Sequence, residues 1–147
     1  MKKILLLCLA FLCLGSLSAC SKTENKATAD GEEQILQETE FPQLAEENKI
    51  LNISPKDTDI TVQLDTIPND LIVYGELLDA SGNPQYDNSV NVSFQKKDGG
   101  IVFQSEALLL SAVSSDSDIL KHSLLAYRIH SERQNMEWHL LVRVQNI

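Results

Sequence analysis

From Asp57 onward the chain alternates apolar and polar residues with a period of two. Ile60, Val62 and Leu64 alternate with Thr61, Gln63 and Asp65, which predicts a half-buried strand. Pro68-Asn69-Asp70 stops it. Residues 71–78 are apolar at nearly every position apart from Gly75 and Glu76, and predict a more central strand. Asp79-Ala80-Ser81-Gly82-Asn83-Pro84 is a dense turn signal. Val90, Val92 and Phe94 alternate with Asn91, Ser93 and Gln95 as one further strand. Asp98-Gly99-Gly100 then reads as a hairpin, because glycine accepts positive φ freely, and Ile101-Val102-Phe103 starts the return. The last strand places Trp138, Leu140, Val142 and Val144 on an inward face, with His139, Leu141 and Arg143 on the other.

Residues 107–113 and 118–130 are rich in helix formers. Asp118 would cap a helix carrying Leu120, Leu124 and Tyr127 on one stripe. Equally, Leu125, Tyr127 and Ile129 alternate as a strand. The strand reading is preferred, since Ser131-Glu132-Arg133-Gln134-Asn135 then joins it to the last strand as a hairpin loop of ordinary length. Six or seven short strands within residues 57–147 predict an all-β fold, a small antiparallel sandwich resembling the immunoglobulin type.

Before Asp57 the pattern is lost. Residues 21–56 are rich in Lys, Glu, Asn, Thr, Ala, Asp and Gln, with hydrophobes at scattered points such as Ile35, Leu36, Phe41 and Leu44. So little apolar surface does not offset the entropy of ordering, so residues 20–56 are expected to be a flexible acidic tether. A short helix fits residues 32–38 or 43–49, neither with a stripe that would hold it alone. Such a tether reaches roughly 30 to 36 Å, at about 5 to 6 Å times the square root of its length. On this reading a chain starting near Ser54 folds alone.

At the start of the chain, Lys2 and Lys3 precede an apolar run over residues 4–14 and then small residues, the three parts of a signal peptide over residues 1–19. Leu17-Ser18-Ala19-Cys20 closes it. This order resembles the lipobox of bacterial lipoproteins, which implies that Cys20 takes a diacylglyceryl group and becomes the first mature residue. The resemblance implies a protein held in the cell envelope by lipid, its domain facing periplasm or exterior. Ser21, in place of a retention Asp, implies the outer membrane if the cell has one. From Ile4 to Leu17 there are fourteen residues, short of the roughly 20 that span a bilayer. A retained signal anchor and a soluble secreted product are the lesser readings. One acyl chain holds a protein only marginally, whereas two or more hold it stably.

Cleavage there changes the chemistry that remains. Cys8 and Cys13 leave with the signal peptide and Cys20 is a thioether, so no thiol is left for a disulfide, a nucleophile or a metal. Losing Lys2 and Lys3 leaves ten basic residues against twenty-one acidic ones, a formal charge of −11. Phosphate backbones repel such a chain, so no nucleic acid partner is expected.

A local pattern supports the sandwich. Gly75-x-Leu77-x-Asp79-x-x-Gly82-x-Pro84, followed by Val90-x-Val92, resembles the strand-turn-strand opening of bacterial immunoglobulin-like and carboxypeptidase-regulatory-like modules. Those modules place an aliphatic residue after the proline, where this chain has Gln85-Tyr86-Asp87-Asn88. The resemblance implies a fold and no chemistry.

His122, His130 and His139 lie in the C-terminal quarter with Met136, and in the hairpin His130 and His139 fall on neighbouring strands. Copper or zinc would need such ligands to converge, yet there is no His-x-His and no Met-rich run, so ordinary solvent-facing imidazoles are expected and no metal ligand is assigned. There is no Gly-x-Ser-x-Gly elbow. The carboxylate pairs Glu46-Glu47 and Asp116/Asp118 lie in polar segments where nothing separates their pKa values. No catalytic residue and no cofactor are assigned. The expected role is a non-catalytic interaction module, held to a membrane through Cys20 and binding another envelope protein; the alternative is a small-ligand or copper/zinc carrier.

Overall fold

The period-two segments fold as strands. A computed structural model of the chain describes residues 25–54, 59–85, 89–105 and 122–145. In chain order these form β1 (Lys26–Ala29), β2 (Glu32–Ile35), α1 (Phe41–Glu46), β3 (Ile50–Ile53), β4 (Asp59–Gln63), β5 (Ile72–Asp79), β6 (Val90–Asn91), β7 (Phe94–Lys97), β8 (Gly100–Gln104), β9 (Ser123–Ser131) and β10 (Met136–Val144). One sheet has the order β2-β1-β4-β8-β7 and the other β3-β10-β9-β5-β6. Ile60, Val62, Ile101 and Phe103 from the first meet Val73, Leu77, Leu125, Tyr127, Ile129, Leu140 and Val142 from the second in one shared core. The fold is an all-β sandwich. Within it, β1-β4-β8-β7 over β10-β9-β5 reproduces the immunoglobulin strand order. One ladder departs from the antiparallel expectation, because β3 runs parallel to β10, pairing Leu141 with Ile50 and Val144 with Ile53.

The ambiguous stretch is a strand where it is described. β9 pairs with β10 through Leu140↔Tyr127 and Trp138↔Ile129 and with β5 through Gly75↔Tyr127, so its alternation is buried between two neighbours. Residues 107–113 and 118–121 lie outside the described residues. Val90 to Phe94 is corrected from one strand to two. β6 pairs with β5 in the second sheet and β7 with β8 in the first. The chain crosses between sheets at Val92-Ser93, where Val92 N–H donates to the Val73 carbonyl at 2.8 Å. Val90 and Phe94 then pack on the same core from opposite layers.

The larger correction concerns the tether. Residues 25–54 belong to the sandwich. Asp30 and Gly31, at φ 52° and 76°, turn β1 into β2, and Ala27 and Ala29 face the core. β1 pairs with β4, Leu36 is buried, and Leu51 and Ile53 bring β3 into the core. Of the two helix placements, residues 32–35 are strand instead, and the second overlaps α1, which starts at Phe41 with Pro42 in its first turn. Alanine carries the alternation of β1 with too little apolar surface to announce it. Each later segment adds only one to three large residues to cores built mostly by others.

Tyr127 sits in the middle of this core against Phe103, with ring centroids 4.8 Å apart, and its hydroxyl has no hydrogen-bond partner among the described residues. Burial pushes the phenol well above its ordinary value near 10. The unfolded phenol releases its proton above that pH while the folded one keeps it. Stability is therefore complete below about pH 10 and falls as pH rises, by up to about 1.4 kcal/mol per unit. Tyr127→Phe should remove this alkaline loss. At neutral pH it should leave stability unchanged or raise it by about 1 kcal/mol, because an unpaired buried hydroxyl costs about 1 to 3 kcal/mol. Urea melts of both proteins at pH 7 and pH 11 measure the difference.

Candidate functional site

The outer face of the second sheet is divided by α1. Phe41 and Leu44 cover Ile50, Leu78, Leu124, Ala126 and Leu141, closing a second small core. Gly82 permits this docking: at φ 84°, a Cβ there would lie 2.7 Å from the Phe41 carbonyl oxygen. Asp79 shapes that turn, its Oδ1 accepting from the N–H groups of Ser81 at 2.9 Å and Asn83 at 3.0 Å. The Gly82 of the strand-turn-strand signature is thus fixed by the helix it touches.

Beside the helix the face becomes polar. His139 is 2% exposed, and its Nδ1 donates to the Thr39 carbonyl at 2.7 Å. Its Nε2 lies 2.9 Å from Glu137 Oε2, and its ring lies 4.7 Å from that of Phe41. Backbone bonds between Gln37 and His139 add to this joint, at 2.7 Å and 3.4 Å. His130 lies opposite Glu137 across the ladder, with Nδ1 3.6 Å from Glu137 Oε1 and without a hydrogen-bond partner among the described residues. Arg128 reaches Glu76 Oε1 through Nη2 at 3.0 Å and lies 4.9 Å over the Phe41 ring. The strip therefore runs Glu76, Arg128, Phe41, His139, Glu137, His130.

This geometry sorts the sequence candidates. His130 and His139 do meet, around one carboxylate that sequence reasoning had not singled out. Met136 does not join them, because alternation sends it inward with Trp138 against the core. His139 is a buried histidine tying residues 37–41 to the sheet, in place of the solvent-facing imidazole expected. His122 is exposed in the turn before β9. Among the described residues, no group of three or more His, Cys, Asp and Glu side chains is arranged to hold a metal ion. Trp138 is partly buried on the inward face, as its alternation predicts. Cys20, Asp116 and Asp118 lie outside the described residues, and Glu46 and Glu47 are exposed on the last turn of α1 and just after it.

Asp70 is a structural carboxylate the sequence did not flag. The Arg133 backbone N–H at 2.9 Å and the Ser131 hydroxyl at 2.7 Å bind its two oxygens and hold it below the usual carboxylate range. It pins the loop that joins β9 to β10. On the first sheet, a shallow polar depression of about 420 Å³ opens over Thr28, Thr61, Gln63, Lys97 and Gly100.

No family model, curated protein or solved structure matches the chain. No helix among the described residues is long and apolar enough to cross a membrane.

Proposed function

We infer that this protein is a cell-envelope lipoprotein, anchored through lipid on Cys20, whose sandwich serves as a non-catalytic interaction module. The Leu17-Ser18-Ala19-Cys20 sequence carries the reading, because it resembles the lipobox and, once Cys8 and Cys13 leave with the signal peptide, no second thiol in the sequence remains to pair with Cys20. What the fold offers a partner is consistent with it. The space between the sheets is filled by packed side chains, and function falls to strand edges and polar faces, where binding modules engage extended partners.

The anchor is tested directly. Cys20→Ala should abolish incorporation of labelled fatty acid and leave the precursor unprocessed. Normal maturation, or continued incorporation of labelled fatty acid, in this variant would overturn the lipoprotein reading. Tethered by lipid, the folded part starts within a few residues of the bilayer, because β1 begins at Lys26. The module then works close to the membrane surface, where the long tether expected from composition would have held it tens of ångströms away.

A further inference from the structure

The first sheet ends on two strands of opposite charge. β2 presents Glu32 and Glu33, with Asp30 in the turn before them and Ile35 47% exposed at its end. β7 presents Lys96 and Lys97, both exposed. Each is a terminal strand of the sheet, so one side of its backbone has no strand partner among the described residues.

Register fixes which way these charges face. Glu33 is opposite Thr28, which is opposite Thr61, then Val102 and Gln95, so Glu33, Gln95 and Lys97 share the outer face. Glu32 and Lys96 share the inner one. Glu33 is partly neutralised by Lys26 at 3.0 Å yet stays 58% exposed, and Glu32 accepts the Asn52 N–H at 3.2 Å. Four antiparallel steps separate the two edges, so β2 and β7 point the same way. A copy displaced along the sheet brings them together in parallel, with Glu33 beside Gln95 and Ile35 beside Lys97 on these rows, so Lys97 reaches Glu33 diagonally on one face and Lys96 reaches Glu32 diagonally on the other. Pairing β2 with β2, or β7 with β7, sets like charges against each other. Charge at both edges blocks self-pairing of either strand and leaves the mixed pairing favoured.

We propose that the partner of this module is a second copy of the same chain, joined β2 to β7 so that the first sheet continues from one molecule to the next. This rests on the interaction-module reading and names its partner. The contact is heterologous, so it builds a ring or an open row rather than a closed symmetric dimer. Anchorage confines the copies to one membrane and raises their effective concentration, which lets two short edges suffice.

The experiment uses the full-length chain in native membranes, with cysteine placed at Ile35 and Gln95 and a short bis-maleimide as crosslinker. Ile35→Cys or Gln95→Cys alone should stay monomeric. Co-expressed, they should give dimers; combined in one chain, they should give a ladder of higher species. Lys97→Glu should reduce the ladder at least fivefold, adding Glu33→Lys should restore it, and high salt should weaken it. Crosslinking of Ile35→Cys to itself, a ladder indifferent to charge and salt, failure of the charge swap to restore it, or no crosslink between labelled surface cysteines would overturn the proposal. Detergent partitioning of the same samples reports the anchor separately, so loss of self-pairing and loss of the lipoprotein reading are distinguishable.

Discussion

A chain that begins at Ser54 should not fold cooperatively. It lacks β1, β2, α1 and β3, and with them Leu36, Phe41, Leu44, Ile50, Leu51 and Ile53, six large side chains that are all buried. Burying a residue of this kind contributes about 1.5 to 3 kcal/mol, so the deletion removes roughly 9 to 18 kcal/mol. A domain of ordinary stability has only about 5 to 15 kcal/mol in total. The deletion also uncovers what those residues protect: β10 loses its parallel neighbour β3, and β4 loses β1. A chain starting at Ser21 should show one cooperative urea transition. The one starting at Ser54 should show none and should bind a hydrophobic dye. A sharp transition in the shorter chain, with a β-type circular dichroism spectrum, would mean that the N-terminal segments only decorate a self-sufficient sandwich.

The contrast between two identical dipeptides explains why the sequence misled here. Asp98-Gly99 and Asp30-Gly31 both adopt left-handed pairs that close two-residue hairpins, with φ values of 50° and 78° at the first and 52° and 76° at the second. Only the first was legible, because Phe94, Ile101 and Phe103 flank it with strong alternation. Around the second, the inward positions are Ala27 and Ala29, which are buried yet add little hydropathy. The turn signal outweighed composition. The strands β4, β5, β8 and β10 were readable because each carries its own inward row, whereas β2, α1 and β3 are held by partners far along the chain. The polar strip was hidden for the same reason. Thr39 and His139 are separated by 100 positions, and no local pattern links a histidine on a late strand to a carbonyl in a segment that reads as tether. The pleat did carry one warning about the metal constellation: Met136 and His139, three apart, fall on opposite faces of any strand that contains both.

Phe41 is the single side chain on which the N-terminal segment most depends. It is 2% exposed and packs with Leu44 on Ile50, Leu78, Leu124, Ala126 and Leu141. Its ring also covers His139 and receives the Arg128 guanidinium over its face at 4.9 Å. Phe41→Ala should cost about 3 to 5 kcal/mol, the usual range for an aromatic deleted from a core. At this size that lowers Tm by roughly 10 to 20 °C. Phe41→Leu keeps most of the volume and loses the aromatic contacts, so it should cost only about 1 to 2 kcal/mol. The effect should also be local before it is global. With the ring gone, water reaches the Thr39 carbonyl and the His139 ring, and the amide protons of Leu44 and His139 should exchange faster in Phe41→Ala than those of Val62 and Ile101, which belong to the other sheet. A uniform rise across both sheets, or a loss below about 1 kcal/mol, would show that α1 rests on the sheet without helping to hold the sandwich together.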